Sequence, residues 1–195
     1  MKLKTSTIII LVAVVIIVIW GVTGYNGLVS MEENVEGQWA NVETQYQRRA
    51  DLIPNLVNTV KGYATHEQST LEGVIQARSQ ATQIKVDPSN LTPEKLAEYQ
   101  KAQGAVTSAL GKLLAITENY PDLKANQNFL ELQAQLEGTE NRINVARTHF
   151  NDAAKAFNIG IRRFPKNILA GLFGFEKRAY FEAAEGAEQA PQVQF

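Results

Sequence analysis

The chain of 195 residues carries 19 Lys and Arg against 20 Asp and Glu, a formal net charge of −1, with two His and no Cys. The missing Cys excludes a disulfide framework, a thiolate metal site, a Cys nucleophile and a lipid-bearing Cys, and two His leave little for a His-based metal cluster. Near-neutral charge argues against a module that neutralises many phosphates, so no nucleic acid is expected as a partner.

The charge is unevenly spread. Lys2 and Lys4 form a short basic start over residues 1–4, and no charged residue then occurs from Thr5 to Met31. Residues 32–195 hold 17 basic and 20 acidic side chains, a net of −3. Inside the uncharged stretch Ile8–Val22 is almost wholly apolar, and residues 5–25 form a segment of 21 residues. At about 1.5 Å per residue such a helix spans roughly 30 Å, the hydrocarbon thickness of a bilayer. Trp20 and Tyr25 stand at its C-terminal end, where amphipathic rings prefer the headgroup level. A cleavable signal peptide is the competing reading, but Val18-Ile19-Trp20-Gly21 is too bulky for the usual small-x-small cleavage site. Lysines before the segment and Glu32, Glu33 and Glu36 after it place the N-terminus in the cytoplasm and the body on the far side of the membrane.

After Gly27 the sequence lacks alternating β-branched runs and hairpin turn pairs, and apolar residues recur at spacings of three and four. The expected fold class is all-α: an N-terminal transmembrane helix followed by an antiparallel up-and-down four-helix bundle over residues 26–164. Helix one carries Leu28, Val35, Trp39, Val42, Tyr46 and Ala50. Helix two carries Leu56, Val60, Tyr63, Val74, Ala77, Ala81 and Ile84, with Pro54 separating the two. A single helix running through Pro54 is the alternative. Asp87-Pro88-Ser89-Asn90 is a turn, after which Thr92 suits an N-cap and Pro93 the first position of helix three. That helix carries Leu96, Tyr99, Val106, Leu110 and Leu113 to Glu118, before Tyr120-Pro121-Asp122 interrupts. Helix four carries Phe129, Leu132, Leu136, Ile143, Phe150, Ala154 and Phe157, and Pro165 ends it.

Several of these stretches resemble the LemA family. They include Tyr25-Asn26-Gly27-Leu28-Val29, then Glu33, Val35, Trp39 and Val42, and the run from Tyr46 through Arg48-Arg49-Ala50-Asp51-Leu52-Ile53-Pro54-Asn55-Leu56-Val57. Further along they include Val60-Lys61-Gly62-Tyr63-Ala64, His66-Glu67, Ala77-Arg78, Leu136-Glu137-Gly138-Thr139-Glu140-Asn141-Arg142-Ile143, Ala146-Arg147, Phe164-Pro165 and Gly171-Leu172-Phe173-Gly174-Phe175. The resemblance covers roughly Tyr25 to Phe181. It implies a bacterial protein with one N-terminal membrane span and a four-helix bundle, with relatives in magnetosome formation. It carries no catalytic residue and no cofactor.

The residues offer little chemistry of their own. His66-Glu67 lacks the second His four positions after the first that a zinc site on one helix face needs, since position 70 is Thr70. His149 has no evident ligand partner. No nucleophile elbow and no phosphate-binding loop occurs, so no cofactor, metal or small-molecule substrate is expected. Arg49, Glu67, Arg78, Glu140 and Arg147 fall near the apolar seams. One reading makes them a polar groove; the other makes them ion pairs that fix helix register, with Glu67 or Glu140 paired to an arginine of another helix.

The segment at residues 165–181 is apolar and basic. From Arg162 to Arg178 there are five basic side chains and one acid, a local net of +4. Trp20 and Tyr25 are therefore joined as membrane-interface candidates by Arg162, Arg163, Lys166, Ile168, Leu169, Leu172, Phe173, Phe175, Lys177 and Arg178. An antiparallel bundle returns the end of helix four to the bilayer, whereas one continuous helix in place of helices one and two would move this segment away. Its competing role is to cap the bundle core. The tail 182–195 reads as disordered. The expected function is a single-pass, non-enzymatic scaffold or interaction module of the envelope that contacts membrane lipid and associates with further copies or other membrane proteins. The alternative is an accessory factor for an envelope enzyme, or an enzyme with a groove near Glu67, Arg78 and Glu140.

Overall fold

A helix that begins in the apolar segment runs on without a break through the boundary expected between helices one and two. In the computed structural model, which describes residues 5–64 and 66–182, α1 spans Thr5–Lys61. It is followed by α2 (Gln68–Gln83), α3 (Pro93–Ile116), the short α4 (Pro121–Lys124), α5 (Gln127–Arg162) and α6 (Lys166–Phe173). No strand occurs among the described residues. The basic start at 1–4 and the tail beyond Glu182 lie outside the described residues. At Glu182 itself the backbone carbonyl accepts a hydrogen bond from Gln100 Nε2 at 2.9 Å.

The break expected at Pro54 is therefore corrected. Proline lacks the N–H that would bond to the carbonyl four residues earlier, here that of Ala50, and a proline inside a helix costs about 3 kcal/mol. Arg78 Nε donates to the Ala50 carbonyl at 2.7 Å, so the freed acceptor is satisfied from α2 and α1 continues. The chain instead leaves the helix after Lys61, where the N–H groups of Tyr63 and Ala64 both reach the Val60 carbonyl. It re-enters helix at Gln68.

By its internal contacts the chain forms two units. The first comprises α1 through Arg49, residues 87–90 and residues 135–178. Along α1 Leu28, Val35, Trp39, Val42 and Tyr46 are buried, and along α5 Leu136, Ile143, Ala146, Phe150, Ala153 and Phe157 are buried. Spacings of three, four and seven give each helix a single apolar stripe. Partners that rise along α1 fall along α5 and α6. Gly24 meets Leu169, Met31 meets Gly160, Trp39 meets Phe150 and Arg49 meets Glu140, so the packing is antiparallel. The Trp39 and Phe150 rings stand 5.5 Å apart, edge to face.

Among the described residues, the second unit comprises residues 50–86, 91–134 and 179–182. Ile53, Leu56, Val57 and Val60 of α1 are buried there, as are Leu71, Val74, Ala77 and Ala81 of α2. Tyr63, expected on the buried face, is 42% exposed because it falls in the turn after α1. Its hydroxyl accepts a hydrogen bond from Asn126 Nδ2 at 2.9 Å, while Asn126 Oδ1 accepts from the Phe129 N–H at the start of α5. The start of α3 follows the sequence expectation: Thr92 Oγ1 accepts from the Lys95 N–H, Pro93 opens the helix, and Leu91 and Leu96 are both buried. α3 packs on α2, and its Leu96, Tyr99, Val106, Leu110 and Leu113 are buried. A 3-10 turn, Thr117–Asn119, takes the place of the last expected residues of helix three.

Candidate functional site: the apolar and basic end of the first unit

The residues that sequence reading grouped as a polar set have separate structural duties. In the first unit Arg49 is 2% exposed, and its Nη1 lies 2.9 Å from Glu140 Oε2, an ion pair between α1 and α5. The Arg49 guanidinium also stands over the Tyr46 ring, 5.2 Å from its centre. Burial pushes the Tyr46 hydroxyl above its usual pKa, against the pull of Arg147, which hydrogen-bonds to it, and of Arg49. In the second unit Arg78 serves the Ala50 carbonyl. Glu67, expected to meet an arginine, accepts from the Tyr120 hydroxyl at 3.2 Å. Glu140 thus has the interhelical arginine that charge pattern suggested, and Glu67 does not.

The C-terminal segment divides in the same way. α6 packs one face inward, with Leu169 and Ala170 buried. A Cβ placed on Gly24 would lie 2.6 Å from Leu169 Cδ1, so a side chain at 24 would require the tip of Leu169 to shift. Lys166 Nζ lies beside Gly27, 3.5 Å from where a Cβ would stand. The Tyr25 ring meets Phe173 at 4.7 Å and Phe175 at 5.8 Å. Gly174 ends the helix with φ 76°, a left-handed conformation that glycine adopts without steric cost, and the Phe175 N–H closes on the Ala170 carbonyl at 3.0 Å.

The other face of α6 is bare. Phe164 is 81% exposed, Ile168 56%, Leu172 74% and Phe173 55%. Arg162, Arg163 and Lys177 are exposed, and Lys166 is half-buried. Two interface candidates are corrected. Leu169 caps the core against Gly24, and Arg178 is buried at 6% exposure. The Arg178 guanidinium pairs with Glu32 and faces the Phe157 ring at 5.5 Å, while its backbone N–H and carbonyl bond to the Asn158 side chain, each at 2.8 Å. No local pattern signals this pair, because Glu32 lies 146 positions away.

A feature missed in the sequence lies beside that pair. A cavity of about 320 Å³ is lined by Glu32, Glu36, Ser89, Asn90, Gly174, Glu176 and Arg178. Burial raises the Glu36 pKa above the usual carboxylate value, and the charges of Glu33 and Glu32 add to the rise. Three carboxylates against one guanidinium favour a cationic group over an anion there. Among the described residues no group of three or more acidic or His side chains is placed to hold a metal ion.

Near its start α1 is long and apolar enough to cross a membrane, and its side chains from Ile8 to Ile19 are exposed. The model of the LemA family matches residues 38–195. The chain belongs to the LemA family. This LemA family chain is 28% identical to "Protein LemA" of Metamycoplasma hominis, over 82% of its own length and 69% of that protein's. It is 29% identical to "Magnetosome protein MamQ 2" of Paramagnetospirillum magneticum, over 81% of its length and 64% of the relative's. To "Magnetosome protein MamQ" of Magnetospirillum gryphiswaldense it is also 29% identical, over 80% and 64% of the two chains. It therefore spans less than two thirds of the length of these magnetosome relatives. With its apolar first helix, this LemA family chain is a membrane-associated helical protein.

Proposed function

We propose that this protein is a non-enzymatic scaffold or interaction module, held in the bacterial cell membrane by residues 5–25 of α1. In this reading the N-terminus is cytoplasmic, and the helices beyond the span form an antiparallel up-and-down four-helix bundle outside. The bundle offers its surface to further copies or to other membrane proteins. The observation that carries the reading is the employment of the polar groups nearest the seams: Arg49 and Glu140 bind each other, Arg78 repairs the backbone at Pro54, and Glu67 holds Tyr120. Groups committed to such bonds are poorly placed for acid–base chemistry, which needs a free group of matched pKa within reach of a substrate. No observation favours the alternative of a catalytic groove near Glu67, Arg78 and Glu140.

Gentle cross-linking of the full chain in native membranes, followed by mass spectrometry, tests the proposal. Cross-linked copies or a reproducible membrane-protein partner is the expected result. Monomer alone at every cross-linker length would sink it. Protease protection of the body in intact cells tests the orientation separately.

A further inference from the structure

The bare face of α6 stands at a particular level along α1. Leu169, Lys166 and the Phe173 ring meet α1 at Gly24, Gly27 and Tyr25, immediately beyond the apolar run that closes at Val22. Five residues of helix rise about 7.5 Å, and the headgroup region on each side of a hydrocarbon core is about 5–8 Å thick. If residues 5–25 cross a bilayer, α6 therefore meets α1 at the end of the span, at the headgroup–acyl boundary.

Its side chains suit that depth on both counts. Ile168 and Leu172, four positions apart, share the outward face of α6, and Phe164 stands in the turn just before the helix; all three are exposed. An apolar face left bare beside a membrane span is continuous with the lipid-facing surface of that span. The flanking charge is also mostly of one sign: Arg162, Arg163, Lys166 and Lys177 surround the apolar residues, with Glu176 the one acid from Arg162 to Lys177. Anionic headgroups complement that ring of cations.

We propose that α6 is a second membrane attachment. It lies in the headgroup–acyl boundary of the leaflet from which α1 emerges, with Phe164, Ile168 and Leu172 in lipid and the four cations against anionic phospholipid headgroups. The inference rests on α1 spanning the membrane, and it holds for either orientation of the chain. The Gly24 notch is what fixes the level, because Leu169 seats α6 on α1 there and turns Leu172 outward.

The absence of Cys allows single probes in the full chain. Leu172→Cys, Val15→Cys and Thr148→Cys each replace an exposed side chain, one on α6, one in mid-span and one on α5. Each is labelled with a polarity-sensitive fluorophore, and the full chain is reconstituted into vesicles of phosphatidylcholine with phosphatidylglycerol. The expected result is quenching at 172 by a nitroxide placed shallow in the acyl chain, at 15 by a deep one, and at 148 by aqueous iodide only. Arg163→Gln in the Leu172→Cys chain should shift the equilibrium about fivefold toward iodide access, the equivalent of ~1 kcal/mol for one cation at the surface. Iodide access at 172 equal to that at 148, with 15 protected, overturns the proposal and leaves the span intact. Iodide access at both 15 and 172 overturns the span and the proposal together. Protection at 172 that is lost on tenfold lipid dilution marks a contact between copies and also overturns it.

Discussion

The continuity of α1 through Pro54 depends on a side chain from another helix, and a double-mutant cycle measures that dependence. A hydrogen bond from a charged donor contributes about 1.5–3 kcal/mol, and a buried carbonyl left without a partner costs about 1–3 kcal/mol. Ala50 is 8% exposed, but Arg78 is only half-buried, so water reaches part of the site and the lower end applies. Arg78→Met should therefore cost about 1.5 kcal/mol, or roughly 3–6 °C in Tm for a chain of this size. In Pro54→Ala the new N–H at 54 bonds to the Ala50 carbonyl from within α1, and the same Arg78→Met change should cost no more than about 0.5 kcal/mol. The coupling of about 1 kcal/mol exceeds the ~0.3–0.5 kcal/mol scatter of independent sites. Denaturation of the four full-length proteins in one detergent, followed by circular dichroism, reads it. Additive effects within that scatter would refute the account of how Pro54 is tolerated.

Three further outcomes follow from the packing. Glu140→Gln should destabilise by about 1 kcal/mol, because Arg49 stays buried while its partner, 41% exposed, already shares its charge with water; Glu67→Gln should cost less, since an amide oxygen still accepts from Tyr120, and equal Tm losses in the two variants would contradict this. Gly24→Leu should lift α6 from α1, seen as roughly tenfold faster trypsin cleavage after Arg162, Arg163 or Lys166 without loss of total helix; unchanged cleavage would show that Leu169 accommodates the side chain. The folded state raises the Glu36 pKa and so binds the proton more tightly than the unfolded chain does. Its contribution favours folding at acid pH and is lost as pH climbs from the unfolded value through the folded one, so Glu36→Gln should gain Tm at neutral pH and lose that gain on acidification. A pH-independent difference would remove the titration of Glu36 as its cause.

Helical periodicity made most of the packing legible. Leu28, Val35, Trp39, Val42, Tyr46 and Ala50 were expected on one face of α1 and are buried, as are Leu96, Tyr99, Val106, Leu110 and Leu113 of α3. Such positions are set by near neighbours in sequence, which is where a spacing of three and four has its meaning. Pro54 was read locally, and locally a proline breaks a helix; the donor that overrides it comes from Arg78, on a different helix. The true break carried a sign that the apolar pattern overlooked: Gly62 follows Lys61, and Thr65 to Thr70 is a polar run with no residue for the stripe. The membrane-side placement of the last segment rested on where the chain reverses. The reversal moved from Pro54 to the turn after Lys61, yet α6 still meets Gly24, so the condition that would have carried it away did not act. Arg178 was misassigned because local charge counts it with Lys177, while its partners are Glu32 and Asn158.

The unbroken passage of α1 from the apolar run into the first unit also has a mechanical side. A span joined to its body by a glycine-rich linker leaves the body free to swivel, but here residues 5–49 are one helix, unbroken between the apolar run and the packed side chains of the first unit. Any lean of the span becomes a lean of what is built on it. From Tyr25 to Arg49 the helix rises about 36 Å, so a tilt of about 20°, ordinary for a membrane helix, carries Arg49 sideways by roughly 12 Å. Tilting is one way in which a span longer than the hydrocarbon core is accommodated. The proposed span and the packed side chains of the first unit therefore lean together.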